Sequence, residues 1–146
     1  MDYQQDNVFA RILRGELPAH RVYEDEQSLA FMDIMPQAEG HTLVIPKCPA
    51  VDLFDVPADV LRGTMETTQL VARAVKRAFA AEGVMIAQLS GAAAGQTVFH
   101  LHFHILPRHA GVDFRMHARD MAPTEMLEEH ARRVRAALVE LQQGSA

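Results

Sequence analysis

Residues 97–107 read TVFHLHFHILP, and this stretch is the most informative part of the chain. Its histidines and its apolar residues alternate with a period of two, which is the period of side chains on a β-strand. On such a strand, one face would carry His100, His102 and His104, and the other face would carry Phe99, Leu101, Phe103 and Ile105. The pattern predicts a strand with one face in the core and one face available for chemistry.

Two other interpretations of the histidines stay open. They could be polar residues tolerated on a solvated face, or they could bind a metal ion, since His-x-His on a strand can supply two ligands to zinc. At about 3.3 Å per residue, His100 and His104 begin roughly 13 Å apart, too far for three rings to share one ion with bonds of about 2 Å. A pair of them together with His41 would still make a metal site.

Phosphate chemistry accounts for more of the neighbourhood. Nucleotidyl transfer needs a nucleophile, a donor for the leaving group and fixed dipoles around the phosphoryl oxygens. A neutral imidazole can attack phosphorus and form a phosphoramidate intermediate that water hydrolyses, and the middle histidine, His102, is best placed for this. Next to it in the chain, Gly95, Gln96 and Thr97 offer backbone N–H groups, an amide and a hydroxyl.

Outward from the histidines, short extended runs are separated by turn residues. The predicted strands lie around Val22 and over 28–32, 41–45, 84–89 and 98–106. Because these runs are interrupted by one long helix instead of alternating with helices, they predict an α+β fold with a mainly antiparallel five-stranded sheet.

Three helices are expected around this sheet. A short N-terminal helix begins after Asp6 or Asn7 as the cap and ends before Gly15, and a C-terminal helix runs from Pro123 to about Gly144. The long central helix lies between residues 55 and 81, and its apolar stripe contains Leu61, Met65, Val71, Val75 and Phe79.

Bulk properties narrow the class of protein. The 146 residues fit one domain over 1–146, and a net charge of -5 disfavours polymeric nucleic acid as a partner. No segment predicts a secretion signal or a membrane span, and Cys48 is the only cysteine, so we expect a cytoplasmic protein without disulfides. The glycine-rich loop lacks the dinucleotide-fold and P-loop patterns.

The stretch AAAGQTVFHLHFHILPR, residues 92–108, resembles the signature of the histidine triad (HIT) hydrolases. The resemblance extends to FMDIMPQ at 31–37 and GHTLVIPK at 40–47, and it covers a core of about 8–108, which leaves a helical extension over about 120–143. The bacterial branch, close to nucleoside phosphoramidases, is the most similar.

What the resemblance implies is a homodimeric enzyme that cleaves a purine nucleoside phosphoramidate or a related nucleoside monophosphate derivative through a nucleotidyl intermediate on His102. No cofactor and no catalytic metal are expected. The implied catalytic residues are His102, His104, His100, His41, Gln96 and Thr97. The implied nucleotide-binding residues are Asp33, Phe31, Ile34, Val8, Gly95 and Ser90.

Within this set, Asp33 matches the family carboxylate that accepts the ribose hydroxyls, and its alternative role is to cap a turn. Two other functions remain open for the whole protein. One is a non-catalytic module that binds a nucleotide and a protein partner, and the other is a metal-dependent hydrolase.

Three departures from the family pattern matter. Asn7 and Ala10 stand where many bacterial members carry the Cys-x-x-Cys of a structural zinc site, so we expect that zinc to be absent. Leu89 and Ser90 replace the common Asn-Asn before the loop glycine, which puts the details of the substrate in doubt. The chain has no tryptophan, so the C-terminal aromatic of some relatives is missing.

Overall fold

The computed structural model describes residues 1–113 and 120–144. Its helices are α1 (Val8–Leu13), α2 (Ala58–Ala78) and α3 (Thr124–Gln142), with one 3₁₀ turn at Ala92–Ala94. Its strands are β1 (Arg21–Glu24), β2 (Ser28–Met32), β3 (Thr42–Pro46), β4 (Gly83–Ala87) and β5 (Phe103–Arg108). They form one sheet in the order β1-β2-β3-β5-β4 with antiparallel neighbours throughout, so the predicted α+β class and sheet are confirmed.

One face of the sheet is covered by the two long helices. Strand residues such as Ala30, Met32 and Val44 meet Val71 and Val75 of α2 there. The C-terminal helix joins the same core with Leu127, Ala131, Val134, Ala137 and Leu138, all of them buried. Truncating one of these buried leucines should cost about 2–5 kcal/mol of stability. The helix α3 is therefore part of the core.

The opposite face of the sheet carries α1. Because strand side chains alternate, Leu29, Phe31, Leu43 and Ile45 point to this face and form a second core with Phe9 and Ile12. The rings of Phe9 and Phe31 meet edge to face with centroids 5.4 Å apart. As predicted, Asn7 caps α1: its Oδ1 accepts the Ala10 N–H at 2.9 Å. The helix ends before Gly15, whose φ of 77° lies in the left-handed region.

The strand predicted over 98–106 begins only at Phe103 and ends at Arg108. Residues 98–102 bend instead, because their polar groups find partners outside a strand ladder. The Leu101 N–H donates to the Ala50 carbonyl at 2.8 Å, and Nδ1 of His102 bonds the His100 carbonyl at 2.7 Å. Of the three histidines, only His104 therefore lies on a regular strand, where it pairs with Leu43 and Ala87.

Two smaller predictions also differ from the structure. The fourth strand covers Gly83–Ala87 and stops before Leu89. Met65, placed in the apolar stripe of the central helix, is 41% exposed, because the buried face of α2 turns toward Thr64, Thr67 and Thr68. Among the described residues, no helix has the length and apolarity that crossing a membrane requires.

Candidate active site

A cavity of about 610 Å³ opens on the α1 face of the sheet. Its apolar wall comes from α1 and β2, and its polar wall comes from the loop before β5 and from the histidine segment. The described residues that line it are Val8, Phe9, Ile12, Leu17, Pro18, Ala19, Phe31, Met32, Asp33, Ile34, Met35, Gln37, Leu43, Leu89, Gly95, Thr97, Val98, His102 and His104. The fold therefore provides one apolar compartment that ends at two imidazoles.

Most of the residues implied by the family resemblance meet at this cavity. Its lining contains His102, His104, Thr97, Asp33, Phe31, Ile34, Val8 and Gly95. His41 and His100 are fully buried and each bonds a cavity histidine: the His41 ring bonds His104, and the backbone carbonyl of His100 bonds His102. Gln96 and Ser90 are not among the described lining residues.

His102 has a fixed tautomer. A carbonyl oxygen can only accept, so the bond of 2.7 Å between Nδ1 and the His100 carbonyl places a hydrogen on Nδ1. Burial lowers the pKa of His102 below its ordinary value, so the ring is neutral and Nε2 keeps its lone pair. The edge of Phe9 packs on the ring with centroids 4.9 Å apart and the planes at 89°. The result is an oriented, unprotonated nitrogen in the cavity wall.

The tautomers of His41 and His104 are fixed by a chain of hydrogen bonds. The Gln37 backbone N–H donates to Nδ1 of His41 at 3.1 Å, so the hydrogen of the neutral His41 ring lies on Nε2. That Nε2–H donates to Nδ1 of His104 at 2.9 Å, which leaves the hydrogen of His104 on its own Nε2. Burial is the main cause that lowers the pKa of His41 to about 3 and that of His104 to about 4, so both rings are neutral at pH 7.

His100 is not among the described residues that line the cavity, and it is bonded at both ring nitrogens. Its Nε2–H donates to the Pro46 carbonyl at 2.8 Å, so Nδ1 is an acceptor. The hydroxyl of Tyr3 donates to that Nδ1 at 2.5 Å. Burial lowers the pKa of His100 to about 4. Sequence reasoning missed Tyr3 because a tyrosine 97 residues away, outside any periodic segment, carries no signal of this contact.

The Gln96 side chain holds the loop before β5 and does not reach into the cavity, in contrast to the implied phosphate contact. Its Oε1 accepts the Gly91 N–H at 2.7 Å, and its Nε2 donates to the carbonyls of Val51 and Val98 at 2.7 and 3.1 Å. The residue is 3% exposed, so moving the side chain to a ligand would break one buried and two partly buried bonds.

Ser90 differs from its expected role in the same way. Its hydroxyl accepts the Leu53 N–H at 3.2 Å and donates to Oε1 of Gln88 at 2.9 Å. These bonds tie the loop after β4 to the segment before α2. A nucleotide contact by the Ser90 side chain is therefore not supported by its position.

Asp33 caps a turn, one of its two expected roles, and also lines the cavity. Its Oδ1 accepts the Met35 N–H at 2.8 Å, which is a turn cap, while Oδ2 lies 3.5 Å from Nε2 of His41. The residue also lines the cavity beside Ile34. Burial raises the pKa of Asp33 to about 6, partly opposed by the Met35 N–H. A carboxylate held by a turn at the cavity wall is well placed to accept ligand hydroxyls.

The same region contains a group of potential metal ligands. Ligand atoms of Asp33, His41 and His104 lie within 4.8 Å of one another. A metal on Nε2 of His41 would need the hydrogen of that ring on Nδ1, where it would face the Gln37 N–H. Because two donors cannot share that contact, these residues do not fit a metal ion in their present tautomers.

Comparison with known proteins shows which family the chain belongs to. Residues 14–111 match the HIT domain model. The crystal structure of a zinc-bound histidine triad family protein from Mycobacterium smegmatis superposes with a TM-score of 0.84 at 41% identity, over 97% of this chain and 99% of that one.

Two similar curated proteins have named activities. The adenylylsulfatase HINT3 of Arabidopsis thaliana is 38% identical over 105 residues, which are 72% of this chain and 53% of that protein. The adenosine 5'-monophosphoramidase HNT1 of Saccharomyces cerevisiae is 37% identical over 101 residues, 69% of this chain and 61% of that protein.

The N-terminal residues do not fit the structural zinc of bacterial relatives. Asn7 uses Oδ1 to cap α1 and Nδ2 to bond the Gln4 carbonyl at 2.8 Å, and Ala10 has no ligand atom. The Tyr3 hydroxyl bonds Nδ1 of His100, so this nearby ring nitrogen is not free to bind a metal ion either. A structural zinc site of this kind needs two cysteine thiolates, and Asn7 and Ala10 supply none.

Proposed function

This chain belongs to the HIT domain family, and on that basis we propose that it hydrolyses a purine nucleoside phosphoramidate or a related nucleoside monophosphate derivative through a covalent nucleotidyl intermediate on His102. The observation that carries the proposal is the His102 tautomer. Its Nδ1–H donates to the His100 carbonyl, so the Nε2 lone pair is available at the cavity wall. The activities named for HINT3 and HNT1 support this class of substrate.

In the proposed first step, Nε2 of His102 forms a bond to phosphorus and the bond from phosphorus to the leaving group breaks. The leaving nitrogen departs as an amine with one proton taken from solvent. The phosphorylated ring carries positive charge, and the His100 carbonyl stabilises it by accepting the Nδ1–H. In the second step water attacks phosphorus, the His102 bond breaks, and the proton returns to solvent as the nucleoside monophosphate forms.

His104 would act as a hydrogen-bond donor to the leaving atom or to a phosphoryl oxygen. Its Nδ1 is occupied by His41, so Nε2–H is the group it offers to a ligand. Such a preorganised donor in a site shielded from water stabilises charge that develops in the transition state. Thr97, in the same cavity wall, adds a hydroxyl beside the phosphate.

The rest of the nucleotide would occupy the apolar part of the cavity. Phe31 is buried, whereas Val8 and Ile34 are 48% and 42% exposed, so the three side chains can enclose a flat base between the floor and the mouth of the cavity. Asp33 would accept the ribose hydroxyls with the carboxylate that caps its turn.

Mass spectrometry of the intact protein tests the proposal. After mixing with adenosine 5'-phosphoramidate and quenching within the first turnovers, the spectrum should show one added adenylyl group, and peptide mapping should place it on His102. His109→Gln, a histidine outside the cavity lining, should give the same adduct. An adduct that persists in His102→Ala, or turnover without any adduct, would contradict the covalent mechanism.

A non-catalytic nucleotide-binding module is the second candidate. The observation that favours it is Leu89, which puts an apolar side chain into the cavity wall where family members commonly carry asparagine. Nucleotide binding without any turnover of phosphoramidates or sulfates would support this candidate.

We further propose a cytoplasmic homodimer. Strand β4 lies at the edge of the sheet; Ile86 on this strand is 42% exposed, and Met65 on the neighbouring α2 is 41% exposed. These side chains line an apolar groove between β4 and α2. An edge strand next to an exposed apolar groove favours pairing with a second copy. Sedimentation equilibrium tests the dimer, and Ile86→Asp should shift it to monomer.

A further inference from the structure

We propose that Tyr3 is a positioning residue for the nucleophile: its hydroxyl fixes His100, and the backbone of His100 fixes His102. This inference rests on the proposed function. The relevant chain of contacts is Tyr3 Oη–H to Nδ1 of His100 at 2.5 Å, then the His100 carbonyl to Nδ1–H of His102 at 2.7 Å. His100 is therefore the link between the N-terminal segment and the reacting ring.

The direction of each bond in this chain is determined by chemistry. The Pro46 carbonyl accepts from His100 at 2.8 Å, so the hydrogen of the neutral His100 ring lies on Nε2. Nδ1 must then accept, and the Tyr3 hydroxyl donates to it. Both nitrogens of a fully buried ring are satisfied, and each holds the ring in one orientation.

Tyr3 is itself held in place by the residues that follow it. The backbone N–H and Nδ2 of Asn7 both donate to the Gln4 carbonyl, at 3.2 and 2.8 Å. Nη1 of Arg14 donates to the Gln5 carbonyl at 2.7 Å. These hydrogen bonds connect the N-terminal segment to both ends of α1. The same helix carries Phe9, whose ring packs against the His102 ring.

Removing the hydroxyl would leave Nδ1 of His100 as a buried acceptor that has lost its donor. A change of tautomer is disfavoured, because it would break the Pro46 bond and bury an Nδ1–H without an acceptor. The ring keeps one partner, the Pro46 carbonyl, and can rotate away from its present orientation. The His100 backbone would then lose an anchor, and the carbonyl that orients His102 would shift. Small displacements of a nucleophile reduce the rate much more than they reduce ligand binding.

The test uses Tyr3→Phe, with Tyr23→Phe as the matched control. The chain has only these two tyrosines, and the Tyr23 hydroxyl also donates one hydrogen bond, to Asp25 at 3.1 Å, on β1 outside the cavity lining. We expect Tyr3→Phe to lower kcat for adenosine 5'-phosphoramidate by about tenfold or more, while KM and the Kd for AMP change less than about threefold. Tyr23→Phe should match the wild type in all three constants.

A direct readout is the tautomer of each ring by long-range ¹H–¹⁵N NMR. The wild type should show the hydrogen on Nε2 of His100 and on Nδ1 of His102. In Tyr3→Phe, the His102 signals should no longer show one state with the hydrogen on Nδ1. A Tyr3→Phe protein with wild-type kcat and an unchanged His102 tautomer overturns the inference.

A second variant covers the case in which Tyr3→Phe does not fold. In the Tyr23→Phe background, 3-fluorotyrosine supplied during expression labels Tyr3 alone and keeps its hydroxyl. This protein should retain kcat within about threefold and the wild-type His102 tautomer. A loss of the His102 tautomer here, with the hydroxyl present, overturns the inference. If the wild type turns over no substrate, the proposed function fails, and the NMR comparison still decides the role of Tyr3.

Discussion

The Nε2–H of His41 donates to Nδ1 of His104 over 2.9 Å, and the Gln37 N–H bonds the other nitrogen of His41. The Gln37 backbone N–H therefore determines which nitrogen of His104 carries its hydrogen, although two hydrogen bonds and the His41 ring separate the two groups. A protonated His104 would place two hydrogens between the rings. This relationship makes His104 a hydrogen-bond donor and opposes its conversion to imidazolium.

His102→Ala should abolish turnover while nucleotide binding stays within about tenfold, because the nucleophile contributes mainly in the transition state. Stopped assays with adenosine 5'-phosphoramidate and calorimetric titration with AMP measure the two quantities. Activity near that of the wild type would remove His102 from the mechanism.

His104→Ala should slow cleavage of an alkyl phosphoramidate by about 10²–10³-fold, the usual loss when one transition-state donor is removed. The loss should be much smaller for the p-nitrophenyl ester of AMP, whose leaving group is already stable as an anion. His109→Gln provides the histidine control. Equal losses on both substrates would show that His104 does not act on the leaving atom.

Asp33→Asn should weaken AMP binding by roughly ten- to a hundredfold, since a hydrogen bond to a charged acceptor contributes about 1.5–3 kcal/mol. The loss for 2'-deoxy-AMP should be smaller, because that ligand already lacks one donor. Calorimetric titration with both nucleotides separates this role from the turn cap, with the melting temperature as a control. Equal losses would take Asp33 out of the ribose site.

The buried histidines predict a loss of stability in acid. Burial lowers the pKa values of His41, His100 and His104 from the ordinary 6.5 to about 3, 4 and 4. Their stability contribution is therefore present above pH 6.5 and is lost as the pH falls toward these values. Each ring adds up to about 1.4 kcal/mol per pH unit to the slope of the unfolding free energy.

Asp33 opposes this trend. Its pKa is raised to about 6, so its contribution is present below its unfolded pKa and is lost as the pH rises through 6. Urea unfolding between pH 4.5 and 7 measures the sum, which should rise with pH because three histidines outweigh one carboxyl. A free energy that stays flat over this range would contradict the neutral, buried state of the rings.

The purified protein should carry no stoichiometric zinc and should keep its activity after treatment with EDTA. The reasons are the cap made by Asn7, the methyl group of Ala10 and the hydrogen on Nε2 of His41. Elemental analysis by mass spectrometry measures the metal. One zinc per chain, together with activity that EDTA removes and zinc restores, would favour the metal-dependent hydrolase.

The sequence predicted those parts of the fold and site that depend on local patterns. Periodicity predicted the sheet and all three helices, and a compact motif pointed to His102, His104 and Thr97. The bend over 98–102 was not predictable from alternation, because side chains there bond the backbone in place of a strand ladder. The roles of Gln96 and Tyr3 depend on partners 45 and 97 residues away, which no local pattern encodes.

Because the buried imidazoles are neutral, the affinity of the cavity for a phosphate group should depend little on ionic strength. No lysine or arginine is among the described residues that line the cavity, so a bound phosphate would be held by oriented N–H and O–H groups and not by opposite charges. Dissolved ions screen charge–charge attraction over about 8–10 Å but have little effect on short hydrogen bonds in a sheltered pocket. We therefore expect the affinity for AMP to remain nearly constant as sodium chloride is added, unlike that of nucleotide sites built from cationic side chains.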